Sequence, residues 1–250
     1  MSLTVTRALK IIEFYAARPR TLTEVTEHLG VHKSTALRLL QTLEREGFAR
    51  FTDGRYTVGL RMIALANQSL SKADLRTIAR PILVELSEEF GHTIHLAQYE
   101  NRTITYVDKL EGPGALKMQS QVGRSPVLHT AGVAKAILAH LPEDERRAVL
   151  RHATYERFTP NTLTTPDQLG RALDIARERG WAEDDAELES FVNCVAAPIF
   201  GAGGRVIGSV SITALTVLAS IDRLREMVPA LRKACARISR EFGWDPEPEA

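Results

Sequence analysis

The sequence predicts an α+β protein: short helices and a hairpin come first, followed by a larger body with an antiparallel sheet. Two observations carry this. From about Asp74 onward, strand-like runs appear in neighbouring pairs with short links, HTIHLAQY (92–99) with RTITYVDKL (102–110) and VNCVAAPIF (192–200) with RVIGSVSIT (205–213). Helical spacing of apolar residues dominates before that point and returns between and after the paired runs.

The first 73 residues read in order as follows. Leu9, Ile12 and Ala16 lie at helical spacing, and Pro19 ends that segment. Thr23 is placed to cap the next helix, with Glu24 near its positive end. Gly30 suits the left-handed residue at that helix's end. KSTALRLLQTLERE puts Leu37, Leu40 and Leu43 on one face, and Gly47 stops it. In FARFTDGRYTVGL, Asp53-Gly54 is a strong hairpin-turn signal, flanked by Phe48, Phe51, Tyr56 and Val58. Residues 60–73 are expected to form a connecting helix. The predicted organisation is therefore 1–59, a linker helix at 60–73, and a second domain at 74–250.

In the second domain, helix 74–90 contains Pro81 and stops at Gly91. Glu100-Asn101 turns the first strand pair, and ALKMQSQ (115–121) is read as a further strand. Residues 130–141 are helical. Pro142 opens a short helix that runs from acidic to basic, in keeping with the helix dipole. Thr165-Pro166 opens another helix ending at Gly180. GAGG turns the last strand pair, an amphipathic helix covers about 220–242, and DPEPEA reads as a disordered tail.

The chain has 250 residues, 44% hydrophobic and 25% charged, which is ordinary for a globular protein and enough for two modest cores. No apolar run approaches the roughly 18 residues of a membrane span. The opening MSLTVTRALKIIEFYA lacks a signal-peptide pattern, so a cytoplasmic protein with no membrane partner is expected. Cys194 and Cys235 form neither a disulfide framework nor metal-ligand spacing, and nothing calls for a cofactor or a metal. The net charge of +1 conceals an asymmetry: residues 1–73 carry 11 Lys and Arg against 6 Asp and Glu, residues 74–250 carry 21 against 25. A basic first piece on an acidic body points to a polyanion partner for the first piece.

The segment LTEVTEHLGVHKSTALRLLQ (22–41) sharpens that expectation. Two helices that pack across a tight turn need a turn glycine and apolar residues at fixed offsets. Gly30 supplies the first; Val25, Leu29, Val31, Ala36 and Leu39 supply the second, with Thr26 at the crowded position. Lys33, Ser34, Thr35 and Arg38 then lie at the exposed start of the second helix, where side-chain donors reach base edges and phosphates in a major groove. Arg50 and Arg55 on the hairpin are placed for the DNA backbone or minor groove. A helical hairpin with no DNA role is the plain alternative.

Three stretches, VTRALKIIEFYA, KSTALRLLQTLEREGF and RYTVGLRMIALA, together with VGRSPVLHTAGVAKAILA and GWAEDDAELESFVNCVAAPIFGAGGRVIGSVSIT further on, resemble the IclR family of regulators over about residues 4–242. The resemblance implies a winged helix-turn-helix, a linker helix and a GAF-like effector domain. It also implies homodimers or dimers of dimers on palindromic or pseudo-palindromic double-stranded operator DNA, and a small effector, often a carboxylate. It places the effector at the amides of Gly132 and Val133 and at Asp184, Cys194, Ser211 and Thr213. Ala134-Lys135 stands where Gly-Lys is usual, and Thr213 where Ser is commoner. Met118, Val127, Leu128 and Val195 give this region an apolar content that suits an aromatic acid as well as a small keto acid.

Other constellations carry less. His92 and His95 differ by three and face opposite sides of a strand, against a shared metal. His129 is weighed as a packing residue. The glycines of GAGGRVIG lack dinucleotide-binding context. A small-molecule enzyme would need an oriented base that no pattern supplies, so no catalytic residue is assigned. An adaptor using its helical domain for protein contacts predicts no salt-dependent DNA binding.

Overall fold

The computed structural model describes residues 2–70, 74–112 and 120–244, with 66–70 described by backbone alone. It divides into two compact units, Met1–Ala73 and Asp74–Ala250. Most of the strand expected at 115–121 and the whole DPEPEA tail lie outside the described residues; Ser120 and Gln121 are not in a strand.

The first unit comprises α1 (Leu3–Ala17), α2 (Leu22–Leu29), α3 (Lys33–Arg45), a hairpin of β1 (Ala49–Thr52) and β2 (Arg55–Val58), and α4 (Leu60–Leu70). The cap of α2 is Thr21, not Thr23. Thr21 and Glu24 stand three apart and form a reciprocal capping box, which satisfies two orphan donors where a lone threonine satisfies one. The buried positions of α1 are Ile11 and Tyr15, while Leu9 and Ala16 face outward and Ile12 is half-buried. The helix has apolar residues on more than one face, so spacing alone did not select the right stripe; Tyr15 wins because its hydroxyl donates to Phe48 O at 2.9 Å. Val25, Ala36, Leu40 and Leu43 complete this core, with Leu29, Val31 and Leu39 packed at its edge. Gly30 takes φ +60°, a conformation that costs other residues a Cβ clash. Asp53 and Gly54 both have positive φ, as a tight hairpin requires. Phe51 is largely exposed and lies against Tyr56. Arg20 exchanges backbone hydrogen bonds with Tyr56, so the α1–α2 link runs along β2 as a short third strand.

The second unit holds a five-stranded antiparallel sheet in the order β4-β3-β7-β6-β5, formed by β3 (Thr93–Glu100), β4 (Thr103–Leu110), β5 (Ala182–Asp185), β6 (Val192–Phe200) and β7 (Val206–Leu215). α5 (Leu75–Phe90) and α9 (Ile221–Glu241) lie together against one face. α6 (Gly132–Leu138) and α8 (Pro166–Arg179) cover the other. α7 (Glu143–Leu150) follows α6, capped by Pro142, which stands just before the helix rather than opening it. Successive strand residues alternate between these faces. Every residue of α6 is buried, Lys135 included, which is why its other six residues are apolar rather than arranged in a stripe. β5 was not among the expected strands, because four residues, three of them acidic, read as a solvated run.

Candidate nucleic-acid interface and ligand cavity

The start of α3 presents Lys33, Ser34 and Arg38 to solvent, while Thr35 is half-buried. His32 caps the helix: its Nδ1 accepts from the Ser34 amide at 3.3 Å and lies 2.8 Å from Ser34 Oγ. The Ser34 hydroxyl thus has a local partner already, and a base or phosphate must share it. Arg50 and Arg55 are exposed on β1 and β2. Arg55 also lies 3.6 Å from a Glu24 carboxylate oxygen. The apolar packing of α2 on α3 fixes where this cationic face points.

In the second unit a cavity of about 240 Å³ opens between the sheet and the first turn of α6. Gly132, Val133, Asp184, Cys194, Ser211 and Thr213 all line it. Strand register brings the last four together. Asp184 pairs with Cys194, Cys194 with Thr213, and on the next rung Ser211 pairs with His95. Residues from four strands therefore share one wall, the most distant of them, His95 and Thr213, being 118 positions apart. The first turn of α6 closes the opposite side. Its orphan amides include those of Gly132 and Val133, since the Ala134 and Lys135 amides bond back to Ala131 O. Ser209 Oγ donates to Val133 O at 2.9 Å and ties that turn to β7. A Cβ on Gly132 would stand 2.6 Å from Cys194 Sγ, so only glycine lets α6 approach this closely.

Burial dominates the electrostatics. It raises the Asp184 carboxyl to about 6 against the pull of Lys135, and pushes the Cys194 thiol up to about 12. That thiol is protonated at neutral pH and is no nucleophile. Burial, reinforced by Lys109, lowers His95 to about 3, so its ring is neutral.

Residues 67–240 match the family described as bacterial transcriptional regulator IclR C-terminal, and residues 4–53 match the IclR helix-turn-helix domain. The chain belongs to the IclR family. Its relatives include the HTH-type transcriptional regulator XynR of Escherichia coli strain K12, 33% identical over 96% of this chain and 97% of that protein. The transcriptional repressor IclR of the same strain is 29% identical over 96% and 89%. The crystal structure of the Thermotoga maritima IclR is similar with a TM-score of 0.64 at 31% identity, covering 96% of this chain and 99% of that one. IclR-family proteins such as these are DNA-binding transcriptional regulators, not enzymes.

Within the IclR fold of this chain, His95 joins the cavity although it was not among the expected site residues. Its Nδ1 lies 3.2 Å from Thr213 Oγ1 and 3.3 Å from Ser211 Oγ, and its Nε2 lies 2.8 Å from Ser120 Oγ. The available signal was parity: His95 shares a strand face with Thr93 and Ala97, an inward polar residue in an apolar run. His92 lies just before the strand. Tyr106, Arg124 and Glu189 also line the cavity and were not anticipated. Of the four apolar residues expected here, Val127 lines the cavity and Leu128 and Val195 do not. Val195 has the opposite parity to Cys194 and faces the other layer; Met118 lies outside the described residues. His129 packs against Tyr155 and Phe158 and meets Glu156 O at 3.0 Å, a packing role.

Proposed function

We propose that this IclR-family regulator represses transcription from palindromic or pseudo-palindromic operator DNA and is released by a small organic carboxylate. Residues 1–59 hold the DNA, 60–73 connect, and 74–250 receive the effector. Lys33, Ser34, Thr35 and Arg38 enter the major groove, while Arg50 and Arg55 contact the backbone or minor groove. A homodimer or dimer of dimers supplies two recognition helices, since one short helix reads too few bases for a unique site. A cytoplasmic location follows from this role.

The observation that carries the effector reading is the cavity lining. It joins two first-turn amides, suited to a carboxylate, to the hydroxyls of Ser211 and Thr213, suited to its other oxygens. Asp184 and Glu189 are carboxyl groups in the same lining. The raised Asp184 takes up a proton more readily than an exposed aspartate when an anion arrives. Effector binding changes the population of conformations in which two recognition helices match their half-sites.

The test is a thermal-shift screen of the full chain against keto acids, sugar acids and hydroxybenzoates. A ligand at about a hundredfold over its Kd adds about 2.7 kcal/mol, a shift of several degrees. A shift that disappears in Ser211→Ala supports the cavity as the site. A shift unaltered by Ser211→Ala, or none among carboxylates, overturns the reading.

A further inference from the structure

Three arginines of the first unit converge on one carboxylate. Arg18 Nη2 lies 2.9 Å and Arg20 Nη1 3.7 Å from Glu24 Oε1, while Arg55 Nη1 lies 3.6 Å from Oε2. The three do not play equal parts. Arg20 is nearly enclosed, its guanidinium 3.8 Å above the Phe14 ring and its Nε donating to Phe14 O at 3.0 Å. It serves as a pillar. Arg18 and Arg55 are about half exposed, and each spends only part of its five donors on Glu24. Among the described residues no other acidic side chain pairs with any of the three, so the cluster keeps two positive charges in excess.

The backbone holds the cluster in register. Arg20 exchanges hydrogen bonds with Tyr56 at 3.0 and 2.7 Å, which seats the segment 18–20 beside β2, the strand that begins with Arg55. Glu24 is fixed in turn, accepting from the Thr21 amide at 2.8 Å and the Thr21 hydroxyl at 2.9 Å. Two guanidiniums on the two oxygens of an anchored carboxylate are pre-organised, with less freedom to lose than two free side chains.

We infer that Arg18 and Arg55, braced by Glu24 and Arg20, form a clamp for the phosphate backbone of double-stranded DNA, flanking the recognition helix. The first helix of a helix-turn-helix crosses the DNA backbone while the second enters the groove, and this cluster stands at the start of that first helix. Arg18 thereby joins the interface, and Glu24 is a positioning residue whose hydrogen bonds from Thr21 and Arg18 hold its carboxyl down at about 2, charged throughout the working range. The inference rests on the DNA-binding role of the first unit.

The experiment is fluorescence anisotropy of the full chain with a labelled duplex of arbitrary sequence across a salt series. Each lost phosphate contact makes the slope of log K against log salt shallower by about 0.9. Arg18→Ala and Arg55→Ala are each expected to do so with an unchanged melting temperature, and Arg18→Lys is expected to restore the slope. Arg147→Ala, on α7 in the other unit, leaves it as it was. Unchanged slopes in both Arg18→Ala and Arg55→Ala reduce the cluster to a structural ion-pair knot and overturn the inference, while the recognition helix stands. If the wild-type chain shows no salt-dependent duplex binding, the DNA-binding role fails and the clamp with it.

Discussion

Lys135 Nζ and Glu187 Oε1 meet at 2.5 Å, and both side chains are buried. Beside them the Glu187 amide donates to Asp184 Oδ1 at 2.8 Å, so the pair braces the loop that carries one wall of the cavity. The second oxygen of Glu187 has no hydrogen-bond partner among the described residues. Burial raises Glu187 to about 7 despite its partner. Lys135→Met leaves a buried carboxyl without its cation and is expected to cost about 3–5 kcal/mol. Adding Glu187→Leu should recover most of that loss. Urea denaturation of the two variants checks it; a double variant no more stable than the single would sink the explanation.

Gly132→Ala is expected to destabilise the fold by about 1–3 kcal/mol, because the added methyl meets Cys194 Sγ at 2.6 Å. Cys194→Ala removes that atom and should relieve the clash, so the double variant is more stable than the sum of the single effects predicts. Thermal denaturation of all four proteins gives the coupling. Simple additivity would mean that α6 shifts to avoid the contact.

Burial sets the sign of a pH effect at His95. Its folded value of about 3 lies below the ordinary 6.5, so the unfolded chain binds a proton that the native chain refuses. Stability from this group is complete above about pH 6.5 and is lost as the pH falls toward 3, by roughly 1.4 kcal/mol per unit at most. Glu187 acts in the other direction, its raised value costing stability as the pH rises from about 4.5 to about 7. His95→Gln is therefore expected to flatten the acid limb of a stability–pH profile. An acid limb as steep as wild type would place the sensitivity elsewhere.

The two units should separate by mutation. Arg38→Ala is expected to weaken binding to a selected operator by about 1–3 kcal/mol, roughly fivefold to a hundredfold or more, with any ligand-induced thermal shift retained. Ser211→Ala should do the reverse. Operator titrations and thermal shifts on the same two proteins decide it; an Arg38→Ala protein with full operator affinity would remove α3 from the major groove.

Locally encoded features were legible in the sequence and relational ones were not. Gly30, the Asp53-Gly54 turn and the Thr165, Pro166 and Gly180 boundaries of α8 each depend on the backbone of a few neighbouring residues. The offsets from Val25 to Leu39 reported a whole motif for the same reason. The stripe of α1 was misplaced because its choice depends on Phe48, far along the chain. β5 escaped because its strand character comes from pairing with β6, not from its own acidic residues. The six cavity residues came from a resemblance; spacing alone linked only Ser211 to Thr213. His95 and the Lys135–Glu187 pair acquire meaning only across strands and layers, where no one-dimensional pattern reaches.

The cross-strand rungs of the cavity have a consequence for how such a protein changes over generations. Each strand contributes one or two side chains to the wall, on a backbone whose ladder is indifferent to what those side chains are. Exchanging Asp184, Cys194, Thr213 or His95 thus alters the chemistry and local bracing of the wall while leaving the strand register in place. A gene family built on this frame can diversify the chemicals it answers to while the frame, and the DNA-reading unit attached to it, are inherited intact.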